Sequence, residues 1–156
     1  MPHAATWHLD TNILLRMSKS DDPHHPMIRA ALRALVAQGT RLCFTFQILG
    51  EFWNASTRPR DRNGLGLSTA ETDRIVRVIE RDFEFLPDNR DVHDRWRQLL
   101  VMHDVKGVQV RDAPLTASMY AHGVTQLLTV NVRDFQRFEK LRAIHPADVA
   151  RAAQLL

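Results

Sequence analysis

The chain has 156 residues, 44% of them hydrophobic and 25% charged, which suits one folded domain with a sizeable core and leaves little room for two. Its single cysteine, Cys43, excludes an internal disulfide and a cysteine-cluster zinc site, and no apolar run approaches the ~20 residues of a membrane-spanning helix. The formal net charge is +3, from 21 basic residues against 18 acids. All the basic residues except Lys19, Lys106 and Lys140 are arginine, whose planar fork matches phosphate oxygens. That bias permits nucleic-acid binding without establishing it, because high arginine use also reflects genomic composition. The opening MPHAATWH has neither the basic start nor the apolar stretch of a signal peptide, so a cytoplasmic protein is expected.

Trp7–Asn12 (WHLDTN) predicts a buried strand that ends in Asp10 and turns at once into a helix through about Arg16. In open α/β sheets ligands bind beyond the carboxyl ends of strands, so an acid there is poised for chemistry. The same three residues also make turns and caps with no function. Ser18–His25 is a polar loop; its His24–His25 pair beside Asp21 and Asp22 has no third ligand at helical spacing, and solvated loop is the reading preferred to a metal site. Pro26 opens a helix with Ile28, Ala31, Leu32 and Leu35 inward, closed by Gly39. Arg41–Phe44 reads as a second strand, in which Cys43 is a buried, inert thiol.

Thr45 is a candidate N-cap for a helix over Phe46–Thr57, with Ile48, Leu49, Phe52 and Trp53 apolar. Glu51 falls at the margin of that stripe, where it either leans over a pocket or simply faces water. Arg58–Gly64 (RPRDRNG) follows as a mobile basic loop. Ser68-Thr69-Ala70-Glu71 is a capping-box pattern, predicting a helix to about Arg81 with Ile75, Val78 and Ile79 inward. Phe83–Leu86 is a short strand or extended link. Asn89 or Asp91 starts the next helix, with Val92, Trp96, Leu99 and Leu100 buried and His103 near its carboxyl end. Gly107–Val110 reads as a brief strand ending at Arg111-Asp112, then Ala113–Tyr120 as a helix closed by Gly123. Gln126–Val130 (QLLTV) is the clearest buried strand and runs into Asn131-Val132-Arg133-Asp134-Phe135. Ile144-His145-Pro146 suggests an edge strand, and a helix from Ala147 to about Leu155 closes the chain with Val149, Ala153 and Leu156 apolar.

Strand and helix signals alternate, which predicts an α/β fold: a mostly parallel central sheet with helices on both faces, in a single domain over 1–156. Three strands would then run into an acid, namely Asp10, Asp112 and Asp134. Parallel strands gather their carboxyl ends on one edge, and Glu51 joins them from the helix after the second strand. Four carboxylates meeting there cannot all stay ionised unless cations neutralise them. Hard oxygen ligands favour Mg²⁺ or Mn²⁺ over zinc. Each acid also has a structural reading: Asp112 as a helix N-cap, and Asn131 as a turn cap with Asp134 its reciprocal partner.

The stretches HLDTNILL, TFQILGEFWN and VRDAPLTASMYAHGVTQLLTVNVRDF, in that order, make the chain resemble the PIN-domain family, in its VapC-like toxin branch, over essentially its whole length. The resemblance implies a three-layer α/β/α sandwich, metal-dependent ribonuclease activity, a homodimer, and a small antitoxin protein as partner. It matches Asp10, Glu51, Asp112 and Asp134 to the family's acidic cluster, and Asn12 and Thr129 to its supporting polar positions. The chain departs from the pattern at Asn131, neutral where many relatives carry an acid, so Asp134 must supply the fourth charge. It departs again at Pro114, where relatives often place an arginine.

The leading expectation is therefore hydrolysis of RNA phosphodiester bonds. Mg²⁺ or Mn²⁺ would be held by Asp10, Asp112 and Asp134, with Glu51 completing the cluster, and would generate a hydroxide nucleophile. Asn12, Thr129 and Asn131 would orient ligands or water, and Arg58, Arg60, Arg62, Arg111 and Arg133 would hold flanking phosphates. The alternative is a PIN-like module that binds RNA or protein without cutting. A nucleotide-cofactor enzyme ranks last, since both G-x-G-x-x-G and a Walker-type G-x-x-x-x-G-K are missing.

Overall fold

The computed structural model describes residues 4–156; residues 1–3, the start of the stretch read above for a signal sequence, lie outside it. Five short strands form one sheet: β1 (Thr6–Leu9), β2 (Arg41–Thr45), β3 (Glu84–Leu86), β4 (Gln126–Leu128) and β5 (Arg142–Ile144). The order is β3-β2-β1-β4-β5 and every pairing is parallel. The helices are α1 (Thr11–Ser18), α2 (His25–Ala37), α3 (Phe46–Thr57), α4 (Thr69–Asp82), α5 (Arg90–Met102), α6 (Ala113–Ala121) and α7 (Pro146–Ala153). Crossovers between parallel strands are right-handed, so helices of connections running in opposite directions along the sheet cover opposite faces. In keeping with this, α2 packs on α7 and α5 packs on α6. The result is the α/β/α sandwich expected from the alternating pattern.

A strand covered on both faces is expected to be mostly apolar, and the central strands are so apart from His8, Thr45 and their first residues. Leu9, Cys43, Phe44, Leu127 and Leu128 are buried, and Ile13, Leu14, Ile48 and Phe52 from α1 and α3 pack into the same core. His8 on β1 is also fully buried, and that burial holds its imidazole neutral by pushing its pKa down to about 3. No helix among the described residues is long and apolar enough to cross a membrane.

Local chemistry sets the helix ends. Ser68 accepts from the Glu71 N–H while the Glu71 carboxylate accepts from the Ser68 N–H, completing the capping box. Asn89 caps α5 by accepting from the Val92 N–H.

The structure corrects three readings. Val78 does not point inward; it is 42% exposed, and α4 buries Thr72, Val76 and Ile79. Residues 72, 76 and 79 share one face at 3.6 residues per turn, and position 78 falls off it. Val78 lines instead an open groove of about 1000 Å³ with Leu32, Val36, Ile75 and Phe83. The Arg58–Gly64 segment is an ordered turn rather than a loose loop. Arg60–Arg62 is 3₁₀, Gly64 N–H donates to the Pro59 carbonyl, and a Cβ on Gly64 would lie 1.9 Å from the Arg58 carbonyl oxygen. Gly107–Val110 is no strand but part of a 3₁₀ turn over Gly107–Asp112.

Cys43 is the one thiol in the chain, and burial pushes its pKa up to about 12. A thiol held protonated in the core is a poor nucleophile. Alkylation at pH 8 is therefore expected to run ~100-fold or more slower in the folded protein than in denaturant. Equal labelling rates by mass spectrometry in both states would show that the β2 core is open.

Candidate active site

β1 and β4 are neighbours, and the chain leaves them in opposite directions across the sheet. Such a divergence opens a crevice beyond the strand ends. A cleft of about 490 Å³ lies there, lined by Asp10, Glu51, Asp112 and Asp134 together with Asn12, Gln47, Arg58, Arg111 and Asn131.

Asp10 is the most enclosed of the four acids, at 9% exposure. Its N–H donates to the Leu128 carbonyl at 3.1 Å, carrying the β1–β4 ladder one residue further. Its Oδ1 accepts from the Thr11 N–H at 2.8 Å, the N-cap bond of α1. Its Oδ2 accepts from the Thr129 hydroxyl at 2.7 Å and from Asn12 Nδ2 at 3.2 Å. Asn12 Oδ1 accepts in turn from the Val130 N–H at 3.2 Å, and Thr129 Oγ1 from the Asn131 N–H at 3.0 Å. Asp10 is thus both a cap and a cleft residue. Burial raises its pKa, the hydrogen bonds from Thr129 and Thr11 oppose that rise, and the Glu51 charge adds to it.

Glu51 enters from α3. Its Oε2 accepts from the Thr11 hydroxyl at 2.8 Å and its Oε1 from Gln47 Nε2 at 2.9 Å. Gln47 Nε2 also donates to the Arg111 carbonyl at 2.9 Å.

Asp112 reaches the cleft by a route the sequence reading did not foresee. Gly107–Asp112 is a 3₁₀ turn leading into α6, with Gly107 at φ +58°. The places on either side of β1 are taken by β2 and β4, and the flanking pairings are complete without this segment. Asp112 makes no side-chain cap bond to α6, so capping does not account for where its carboxylate sits. Its pKa is raised to about 6, first by burial, then by Asp134 and Asp10, with Arg137 opposing. Asp134 stands exposed in the 3₁₀ turn Val132–Phe135 after β4. The Asn131 side chain makes no cap bond there either, and it too lines the cleft.

Of the five arginines singled out in the sequence, Arg58 and Arg111 line the cleft. Arg60 donates to the Leu65 carbonyl at 3.3 Å and lines a separate depression with Ser18, Lys19 and Asn63. Arg62 and Arg133 are exposed and lie outside the cleft lining. Sequence reading missed Thr11, Gln47 and Arg137. Thr11 sits inside the DTN stretch, and Gln47 precedes Glu51 by four residues, a helical pairing distance. Arg137 carries no local signal, since only the fold brings it towards Asp112.

Among the described residues, no three His, Cys, Asp or Glu side chains stand together at metal-ligand spacing. The donor chemistry nevertheless fits a hard divalent cation: four carboxylates and four side-chain amides line one cleft, and burial, then the charges of Asp134 and Asp10, raise the Asp112 pKa. The four carboxylates offer only oxygen donors, which disfavours zinc.

An α/β domain that gathers acids beyond the ends of β1 and β4 is the class that fold and cleft define. The chain belongs to the PIN domain family, whose family model matches residues 8–141. Among solved structures it is similar to VapBC2 from Rickettsia felis bound to a promoter DNA fragment, at 15% identity and TM-score 0.67, over 90% of this chain and 98% of that one. It is similar to VapBC from Salmonella typhimurium bound to DNA, at 18% identity and TM-score 0.66, over 91% and 98%. It is also similar to VapC20 of Mycobacterium tuberculosis, described as a sarcin-ricin loop cleaving toxin, at 16% identity and TM-score 0.56, over 78% and 86%. Identities this low speak to the fold alone. No curated protein matches the chain.

The Thr129 hydroxyl is a buried donor to a buried carboxylate. Thr129→Val keeps the shape and removes the donor, so it is expected to cost about 1–3 kcal/mol of stability in urea unfolding at pH 7. An unchanged midpoint would mean that Asp10 does not depend on this bond.

Proposed function

We propose that the chain is a metal-dependent endoribonuclease, the toxin of a VapC-type toxin–antitoxin pair, acting in the cytoplasm as one PIN domain spanning 1–156. The observation that carries this reading is the cleft itself: Asp10, Glu51, Asp112 and Asp134 come from four separate segments, yet line one crevice of about 490 Å³. The described activity of VapC20 and the VapBC complexes among the structural neighbours support the toxin role and an antitoxin partner; assembly as a homodimer is part of the same proposal.

Asp10, Asp112 and Asp134, with Glu51, are the residues to hold Mg²⁺ or Mn²⁺. Such an ion, when bound, supplies an activated water and offsets charge on the phosphate and the leaving oxygen. The rest falls to the chain's own groups. Thr129 and Asn12 hold the Asp10 carboxylate in one orientation, as outer partners of a ligand do. Asn131, neutral, serves as a polar neighbour that orients water, and Asp134 supplies the charge. Arg58 and Arg111 bind phosphates next to the scissile one, with Arg60, Arg62 and Arg133 further along the RNA backbone.

A second reading, a PIN module that binds RNA or protein without cutting, is favoured by the neutral Asn131 and by the open spacing of the acids. The two separate on one variant. Asp10→Asn is expected to lower RNA cleavage by at least about 100-fold, since it strips a ligand charge from the metal, while circular dichroism stays that of the parent. Sequencing of RNA ends after brief induction should show cuts with the parent chain that vanish with this variant. Cutting at parental rate by Asp10→Asn, or no new ends from either chain, would rule out the nuclease.

A further inference from the structure

Glu51 and Asp112 sit on elements that share no strand, so the sheet does not set the distance between them. Gln47 spans that gap. It lies one turn before Glu51 on α3, and its Nε2 donates both to Glu51 Oε1 and to the Arg111 carbonyl, each at 2.9 Å. Two acceptors on one nitrogen decide the amide's orientation, because the flipped amide would set oxygen against a carboxylate and a carbonyl. The second bond grips the backbone directly before Asp112. Gln47 Oε1 is buried and meets no protein donor, so the two N–H bonds are the amide's protein anchors.

The network is continuous from the sheet to α6. Asp10 Oδ1 takes the Thr11 N–H, Thr11 Oγ1 donates to Glu51 Oε2, and Gln47 links Glu51 Oε1 to the Arg111 carbonyl. An ordinary surface pair on a helix would account for the Gln47–Glu51 bond. It leaves unexplained the bond to a residue 64 positions away.

We propose that Gln47 is a positioning residue that sets the spacing of the Glu51 and Asp112 carboxylates and so the affinity of the cleft for a divalent ion. This rests on the metal-dependent reading above. Gln47 acts through Glu51 and through the backbone ahead of Asp112, without itself being a ligand.

The test is calorimetric titration of Mn²⁺ into the metal-free chain and four variants: Gln47→Met, Glu51→Gln, their double variant and Asp10→Asn. Gln47→Met keeps the side chain's length and removes both donors. It is expected to weaken Mn²⁺ binding about 10-fold, the scale typical of groups that orient metal ligands, with the thermal midpoint of the metal-free chain moving by no more than about 2 °C. In the Glu51→Gln background the same change is expected to cost measurably less than in the parent, because the route through Glu51 is gone while the hold on the Arg111 carbonyl remains. If Gln47→Met does not fold, Gln47→Ala carries the same comparison. Parental Mn²⁺ affinity in the Gln47 variants, or equal losses in both backgrounds, overturns the positioning role. Loss of binding in Asp10→Asn alongside parental binding in Gln47→Met removes this inference and leaves the nuclease reading standing. Parental binding in Asp10→Asn removes both.

Discussion

The site turns on a carboxylate placed where it is expensive. Asp10 ends the central strand, largely shielded from water, and an ionised carboxylate there loses hydration that has to be replaced. The replacement is a set of donors on both of its oxygens: Thr11 N–H on one, Thr129 and Asn12 on the other. Two of these donors come from the start of α1 and one from beyond β4. The bonds that solvate Asp10 therefore also staple the ends of two neighbouring strands. Asn12 ties the Val130 N–H into the same knot, and Thr129 ties in that of Asn131. The geometry of the crevice and the ionisation of its deepest acid are one problem with one solution.

Around that fixed point the remaining acids are held with decreasing grip. Glu51 has a donor on each oxygen. Asp112 has its backbone held, through the carbonyl of the residue before it, and its carboxylate is left uncapped. Asp134 is exposed. This gradient from rigid to free suits a cleft that keeps a preorganised inner wall and an adaptable outer one. The electrostatics run the same way, since burial and then the charges of Asp134 and Asp10 raise the Asp112 pKa. Carboxylates that repel each other in this manner store a demand for positive charge, and Arg58 and Arg111 stand on the same rim.

Much of this was legible in the chain as written. Alternation of apolar runs and amphipathic stretches determined a parallel α/β sheet, because buried strands must be apolar on both faces and helices on one. The Ser68–Glu71 capping box and the Asn89 cap were readable because each is a contact between near neighbours. Asp10 and Asp134 were legible as acids following strands. Other features were decided only when the chain closed on itself. Gly107–Val110 looks like a strand locally, yet β2 and β4 already flank β1, so tertiary pairing left it as a turn. Val78 had the right chemistry for the core and the wrong phase on its helix. Arg60, Arg62 and Arg133 share composition with Arg58 and Arg111, but a charge carries no direction until the fold supplies one. Gln47 is the plainest case: its neighbour Glu51 is four residues away in sequence, while the Arg111 carbonyl it also holds is reached only through the packing of α3 against α6. Local pattern determined most of the helices and strands and the acids that follow β1 and β4; long-range contact decided that Gly107–Val110 does not pair and which side chains meet.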